Sequence, residues 1–271
     1  MCSLTCIRGT RADDLVQRLS ALRLLQMQSN LWNPAETHDL VLSGSLEGHY
    51  TTNAALARDG TSDCYVAPSV SISGSHSLTG EWRVSAGTDL GGFRYLRQPD
   101  LGTSYADVWG GLTRDFRIGL VEANLYLTVT QQWNQLENFT SSGSLTEALV
   151  GLNTEWKIRE GQTLTFNPGA SLTPLAQPWD AGFDSCGATI SYDWTPISNW
   201  EISIFYNGYL TAYFSGQTDF TQYVGAGVSW TPCEEFSISA SISQTWNSST
   251  DPVSSYSALD VGGTLGLQWK L

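Results

Sequence analysis

The strongest constraint on the fold is an alternation of apolar and polar residues that begins near Asp39 and continues to the end of the chain. Successive side chains of a β-strand point to opposite faces, so a period of two predicts strands rather than helices. Clusters of Gly, Pro, Asn, Asp and Ser interrupt the alternation and are typical of turns. Twelve strands are predicted, at 39–50, 63–76, 80–95, 104–113, 118–134, 147–157, 162–173, 185–194, 200–213, 220–230, 236–247 and 258–271.

The linkers between these strands alternate in length. After the odd-numbered strands they are mostly longer, as in TTNAALARDGTS, and after the even-numbered strands they are short, as in SLTG and RDFR. Antiparallel strands joined alternately by short turns and longer loops are typical of an up-and-down barrel. The sequence therefore predicts an all-β, antiparallel barrel over residues 39–271.

Two stretches repeat the same turn. SYDWTPISNWEISIF and GVSWTPCEEFSISAS each contain Trp-Thr-Pro, followed by an aromatic residue six places after the Trp. We interpret both as hairpin turns whose aromatics, Trp194 with Trp200 and Trp230 with Phe236, anchor the end of one strand and the start of the next. A propeller or sandwich with similar hairpins is the alternative, but the chain lacks a blade signature.

The two faces of the predicted strands differ in charge. The apolar face carries Arg94 as its only charge. A membrane barrel turns such a face to lipid, where a charge at mid-bilayer costs about 2–4 kcal/mol, whereas a soluble barrel would bury it. The opposite face collects Glu47, Glu81, Arg83, Asp89, Asp107, Glu122, Glu155, Lys157, Asp193, Glu201, Asp260 and Lys270.

Aromatic residues at the ends of the apolar face favour the membrane interpretation. Amphipathic rings concentrate where lipid meets water, so rings at both strand ends predict two interfacial girdles. The predicted strands are also long enough, since about ten tilted residues cross the apolar layer. The principal girdle residues are Trp82, Trp133, Trp156, Trp194, Trp200, Trp230, Phe236, Trp246 and Trp269.

Composition excludes several other classes. The net charge of −13 and the pI near 4.4 argue against nucleic-acid binding, because few basic groups are present to neutralise phosphates. No run of eighteen apolar residues predicts a transmembrane helix. The five cysteines are odd in number and lack zinc-site spacing, so neither a disulfide framework, a metal nor a cofactor is predicted.

Residues 1–38 have a different pattern. Leu15, Leu19, Leu22 and Leu25 share one helical face, which predicts a short helix that NPAETH ends. The segment has neither the continuous apolar core nor the cleavage site of a signal peptide. We therefore expect an N-terminal helical segment or linker at 1–38 and a barrel at 39–271.

The last strand, VGGTLGLQWKL, has apolar or aromatic residues at alternate positions back from the terminus. In this it resembles the C-terminal strand of bacterial outer-membrane β-barrel proteins, although Leu271 stands where that class usually has Phe or Trp. The resemblance covers about 39–271 and implies a porin-like protein of the outer membrane, inserted by the outer-membrane assembly machinery, with its short turns in the periplasm. An export signal is also implied, so we expect that the given sequence starts late and that the predicted helix is the tail of a periplasmic region or a plug.

A barrel of twelve strands spaced about 4.8 Å apart and tilted near 40° has a backbone diameter of roughly 24 Å, which side chains reduce to a passage of roughly 10 Å or less. An acidic lining predicts a narrow channel for small cationic or neutral solutes. Inward Tyr126, Phe205, Tyr209 and Tyr223 either stack on sugars or fill space. The predicted lining residues are Glu47, Glu81, Arg83, Asp89, Asp107, Glu122, Glu155, Asp193, Glu201, Asp260 and Lys270.

Two alternatives stay open. A membrane-embedded hydrolase needs a nucleophile and a base, yet His76 lacks a recognisable nucleophile arrangement and His49 lies beside Glu47 only through the alternation. No catalytic residue is therefore predicted. A structural or adhesive barrel would bind partners through its loops, and the predicted loops are short for that role.

Overall fold

The structure, a computed structural model, describes residues 40–58, 60–78, 80–136 and 142–271. Within these ranges the chain forms the twelve antiparallel strands that the alternation predicts. The predicted helix and the 1–38 segment lie outside the described residues. The strands are β1 (Leu40–Thr51), β2 (Asp63–Ser77), β3 (Trp82–Tyr95), β4 (Thr103–Ile118), β5 (Val121–Leu136), β6 (Ser142–Arg159), β7 (Gln162–Gln177), β8 (Phe183–Ile197), β9 (Trp200–Tyr213), β10 (Thr218–Cys233), β11 (Phe236–Ser249) and β12 (Tyr256–Lys270).

The sheet closes on itself. Each strand pairs with the next along the chain, and β1 pairs with β12 from Val41 opposite Lys270 to Thr51 opposite Asp260. The N–H of Leu271 donates to the carbonyl of Leu40 at 2.8 Å and extends this seam by one bond. Closure leaves no unpaired strand edge. Within the described residues, no helix has the length and apolar content needed to cross a lipid bilayer.

The strands meet in turns at one end, here called the short-turn end, and in loops at the other, the long-loop end. The turns are 78–81, 119–120, 160–161, 198–199 and 234–235. Gly119 (φ +61°) and Gly161 (φ +68°) adopt the left-handed conformation that tight two-residue hairpin turns require. The loops run from four residues at 214–217 to eleven at 52–62, shorter than expected because most strands extend beyond their predicted ends.

The repeated Trp-Thr-Pro stretches form bulged hairpins. The register shifts between Trp194 and Ile197 in the first and between Trp230 and Cys233 in the second. A bulge leaves a residue out of the hydrogen-bond ladder, which accommodates a proline that has no N–H to donate. The repeat therefore encodes the same irregular turn twice, as predicted for a hairpin.

The outward face is apolar and exposed, whereas polar side chains fill the inside. Ile204 (54%) on β9 and Leu267 (44%) on β12 are exposed on the outside of the barrel. Arg114 joins Arg94 among the outward charges, because β4 runs five residues beyond its predicted end at 113. Its guanidinium lies 5.6 Å from the centroid of the Trp82 ring, near the short-turn end. Inside the barrel, Leu145, Phe183 and Tyr213 form a small apolar cluster near the long loops.

All nine predicted girdle aromatics lie on the outward face. Directly paired Trp200 and Trp230 stack with ring centroids 6.2 Å apart, so the girdle is continuous between β9 and β10. Trp82, Trp156, Trp194, Trp200, Trp230, Phe236 and Trp269 lie toward the short-turn end, and Trp133 and Trp246 toward the long-loop end.

The first prediction concerns which face meets lipid. With the native cysteines replaced, Ile204→Cys and Leu267→Cys in bilayers should react with a lipid-soluble thiol reagent and resist a charged aqueous one, because both side chains point outward. Ser239→Cys, on the inward face of β11, is the control and should show the reverse preference. Aqueous labelling of the two outward positions would mean a soluble barrel.

The second prediction concerns the girdle. Trp200→Ala and Trp230→Ala should each lower the free energy of unfolding in lipid by about 1–3 kcal/mol, because each removes apolar area and an interfacial anchor. Ser239→Ala removes only an inward hydroxyl and should change it much less. Denaturant titration of folded protein in vesicles measures all three, and equal losses would contradict the assignment of the faces.

Candidate functional site

The candidate site is the lumen of the barrel. The predicted lining residues that belong to strands all occupy inward positions. Glu81 does not lie in β3 as predicted: it belongs to the 78–81 turn, is exposed, and lies 3.7 Å from Arg114 on the outer face. The inward residues are Glu47, Arg83, Asp89, Asp107, Glu122, Glu155, Asp193, Glu201, Asp260 and Lys270.

Several inward charges were missed by the sequence analysis. Asp115 and Arg117 were overlooked because β4 extends to Ile118, and Asp219 because β10 begins before its predicted start at 220. Asp63 and Glu147 are first residues of predicted strands and were left out of the lining. Each has the same strand parity as a recognised inward residue, so correct strand ends would have revealed Asp115, Arg117 and Asp219, and parity alone would have revealed Asp63 and Glu147.

Basic groups of the lumen lie beside the short turns and contact acids. Arg83 binds Asp115 at 2.7 Å, and Glu122 contacts both Arg117 (2.8 Å) and Lys157 (3.4 Å). Arg117, Glu122 and Lys157 are largely solvent-exposed, so their pairs contribute only about 0–1 kcal/mol each to stability, whereas the Arg83 side chain is 19% exposed. Their main effect is to balance the charge of this rim.

A histidine between two carboxylates lies farther inside. His49 Nδ1 is 2.5 Å from Asp260 Oδ1, and His49 Nε2 is 3.4 Å from Glu47 Oε2. The Tyr65 hydroxyl donates to the other Asp260 oxygen at 3.3 Å. The side chains of Glu47 (32% exposed) and Asp260 (24%) are open to the lumen, while that of His49 (12%) is mostly covered. Two acids and one imidazole give this group negative charge whether or not the imidazole is protonated.

Further acids lie on the β3–β6 wall. Asp89 and Asp107 are cross-strand partners, and the Trp109 indole N–H donates to Asp89 at 2.9 Å. Asp107 is fully buried, as is the neighbouring Gln132, and Glu147 is 3% exposed. Buried polar side chains therefore line the interior farther from the short turns than the charged rim.

Inward rings lie over glycines of the adjacent strand. Five such pairs are directly opposed in the ladder: His49 with Gly262, Tyr105 with Gly91, Trp109 with Gly87, Tyr126 with Gly151, and Phe205 with Gly225. In each case a Cβ on the glycine would collide with the ring. The rings consequently lie along the wall instead of projecting toward the barrel axis.

Several inward side chains near the long loops are almost completely covered, as for Thr211 (1%) and Asn247 (4%), whereas inward Ser241, Lys157 and Glu201 nearer the short turns are exposed. Within the described ranges, no group of three His, Cys, Asp or Glu side chains is arranged to hold a metal ion.

No protein-family model matches the sequence, and no curated protein is significantly similar to it. The fold is similar to several solved structures. The COG4313 outer membrane channel from Pseudomonas putida F1 has a TM-score of 0.60 at 8% identity, over 87% of this chain and 97% of that chain. The translocator domain of the autotransporter NalP from Neisseria meningitidis gives 0.49 at 9% identity, over 95% and 97%. The DcaP outer membrane channel of Acinetobacter baumannii gives 0.45 at 8%, over 88% and 99%.

At these identities the likeness concerns the fold. A closed barrel of twelve antiparallel strands, short turns at one end and an apolar exposed outer face are all present in the described residues. These features support the outer membrane as the location of the protein. The chain thus has the fold of the bacterial outer-membrane β-barrel proteins.

Proposed function

We propose that the protein is a narrow outer-membrane channel for small cationic or neutral solutes. The proposed lining is the set of inward charged residues described above, and the proposed membrane anchors are the nine outward aromatics. Assembly by the outer-membrane insertion machinery is part of this proposal. The role of residues 1–38, as a plug or as a linker, remains a separate hypothesis.

The observation that carries the proposal is the distribution of charge along the lumen. In the described strands every inward Lys or Arg lies beside a short turn, at Arg83, Arg117, Lys157 and Lys270. Inward acids continue beyond that rim. A low-dielectric wall focuses their field, so the interior attracts cations and repels anions. The acids beyond the rim include Glu47, Asp63, Asp89, Asp107, Glu147, Asp219 and Asp260.

The hydrolase alternative has less support. His49 is the one inward histidine of the described strands, and both of its ring nitrogens face carboxylates, Asp260 and Glu47. A general base needs one nitrogen directed at the hydroxyl or thiol that it activates. An adhesive barrel would bind partners through long loops, and the loops here are only four to eleven residues long.

The third prediction tests ion selectivity. In planar bilayers under a salt gradient, the reversal potential of the refolded protein should show cation preference that weakens as ionic strength rises, because salt screens the lumen acids. Glu47→Gln combined with Asp89→Asn should reduce that preference, since it removes two inward charges beyond the basic rim.

The matched control is Glu160→Gln, which removes an acid from the 160–161 turn outside the lumen. Its reversal potential should stay close to that of the wild type. Anion selectivity, or equal shifts in the control and the double variant, would contradict an acidic conducting lumen. A silent barrel should begin to conduct when residues 13–29 are deleted if they act as a plug, and continued silence would favour the structural or enzymatic alternatives.

A further inference from the structure

Four inward rings form a continuous strip on the lumen wall across β1 to β4. His49 stacks on Tyr65 with centroids 5.0 Å apart and planes 3° from parallel. Phe93 follows at 5.9 Å from Tyr65, and Tyr105 at 6.3 Å from Phe93. These four residues are called the aromatic strip below. The rings of Tyr65, Phe93 and Tyr105 are half-buried, so part of each remains open to the lumen.

Glycines hold both ends of the strip against the wall. Gly262 lies opposite His49 and Gly91 opposite Tyr105, and a Cβ at either glycine would occupy the space of the ring. His49 and Tyr65 stack face to face and Phe93 meets Tyr65 edge to face, so aromatic ring surface is continuous along this wall. Aromatic faces carry partial negative charge and attract cations within about 6 Å of the ring centroid.

Two carboxylates adjoin the first ring of the strip. Asp260 and Glu47 flank His49, and in the described structure neither forms an ion pair with Lys or Arg. Both are partly exposed to the lumen. Aromatic rings and two carboxylates that form no ion pair with Lys or Arg in the described structure therefore meet at one place on the wall.

We propose that the aromatic strip and the Glu47–Asp260 pair together bind organic ammonium ions that carry an apolar or aryl group. The ammonium group would lie near the two carboxylates and the apolar group against Tyr65 and Phe93. This inference rests on the proposed cation channel and names a class of solute for it.

The arrangement discriminates against two other classes. Inorganic cations are compact and strongly hydrated, and they gain nothing from the apolar area of Phe93. Sugars stack on rings but lack the positive charge that an acidic pair recognises. An organic ammonium ion uses both parts of the site, so its binding should exceed that of either class.

The fourth prediction tests this site through block of the potassium current. Phenethylammonium chloride, added to the wild-type channel in planar bilayers, should reduce the current at concentrations where uncharged 2-phenylethanol and glucose have no effect. Tyr65→Leu should weaken the block about tenfold, because it removes a ring face near the ammonium position. Glu47→Gln combined with Asp260→Asn should weaken it at least as much.

Two control variants test whether the block needs the Tyr65 hydroxyl and whether loss of any inward ring weakens it. Tyr65→Phe keeps the face but not the hydrogen bond to Asp260, and it should retain the block. Tyr126→Leu removes an inward ring outside the strip and should also retain it. Heat-modifiable migration on gels checks that each variant is folded before its current is measured.

The outcomes distinguish this inference from the channel proposal. A wild-type barrel that stays silent, with and without residues 13–29, or that prefers anions would overturn the proposed function and this inference with it. A cation-selective current that phenethylammonium does not block, or that 2-phenylethanol or glucose blocks equally, would overturn only the ligand assignment. Block that persists in both Tyr65→Leu and the double variant would overturn the location of the site.

Discussion

Backbone hydrogen bonding is the constraint on which the rest of this structure depends. A strand that faces lipid has no water to satisfy its N–H and C=O groups, so each group needs a partner on a neighbouring strand. The seam between β1 and β12 supplies the last set of partners and removes both sheet edges. Once the sheet is closed, each strand has only two faces, and the alternation in sequence decides which side chains meet lipid and which line the interior.

Closure also limits what the interior can hold. Large inward side chains on every strand would fill a barrel of this size. In this chain, several large inward side chains instead lie opposite a glycine on the adjacent strand. Gly225 beneath Phe205 and Gly151 beneath Tyr126 provide the space in which those rings lie against the wall. The same glycines carry no side chain of their own into the lumen. Ring and glycine together thus leave more open cross-section than two residues of intermediate size would.

The alternation was sufficient to predict the strand number, the antiparallel order and the face on which each girdle tryptophan lies, because these depend on local period and parity. Strand ends were predicted less well. Asp115 and Arg117 lie where β4 continues past its apparent end, since pairing with β5 maintains the strand beyond the point at which the pattern weakens. The contact between His49 and Asp260 joins residues 211 positions apart and exists only because the barrel closes. The sequence predicted both residues as inward but contained no local signal that they would meet.

The charge distribution links the fold to the proposed function. A charge on the lipid face would cost several kcal/mol, so most Asp, Glu, Lys and Arg side chains of the described strands face inward, where water and counter-charges are accessible. Pairing at the short-turn rim, as between Arg83 and Asp115, neutralises much of the charge there. The inward Lys and Arg side chains of the described strands lie at this rim, and inward acids continue beyond it. In the proposed channel, solute cations would supply compensating charge, and the Glu47–Asp260 pair would bind them transiently.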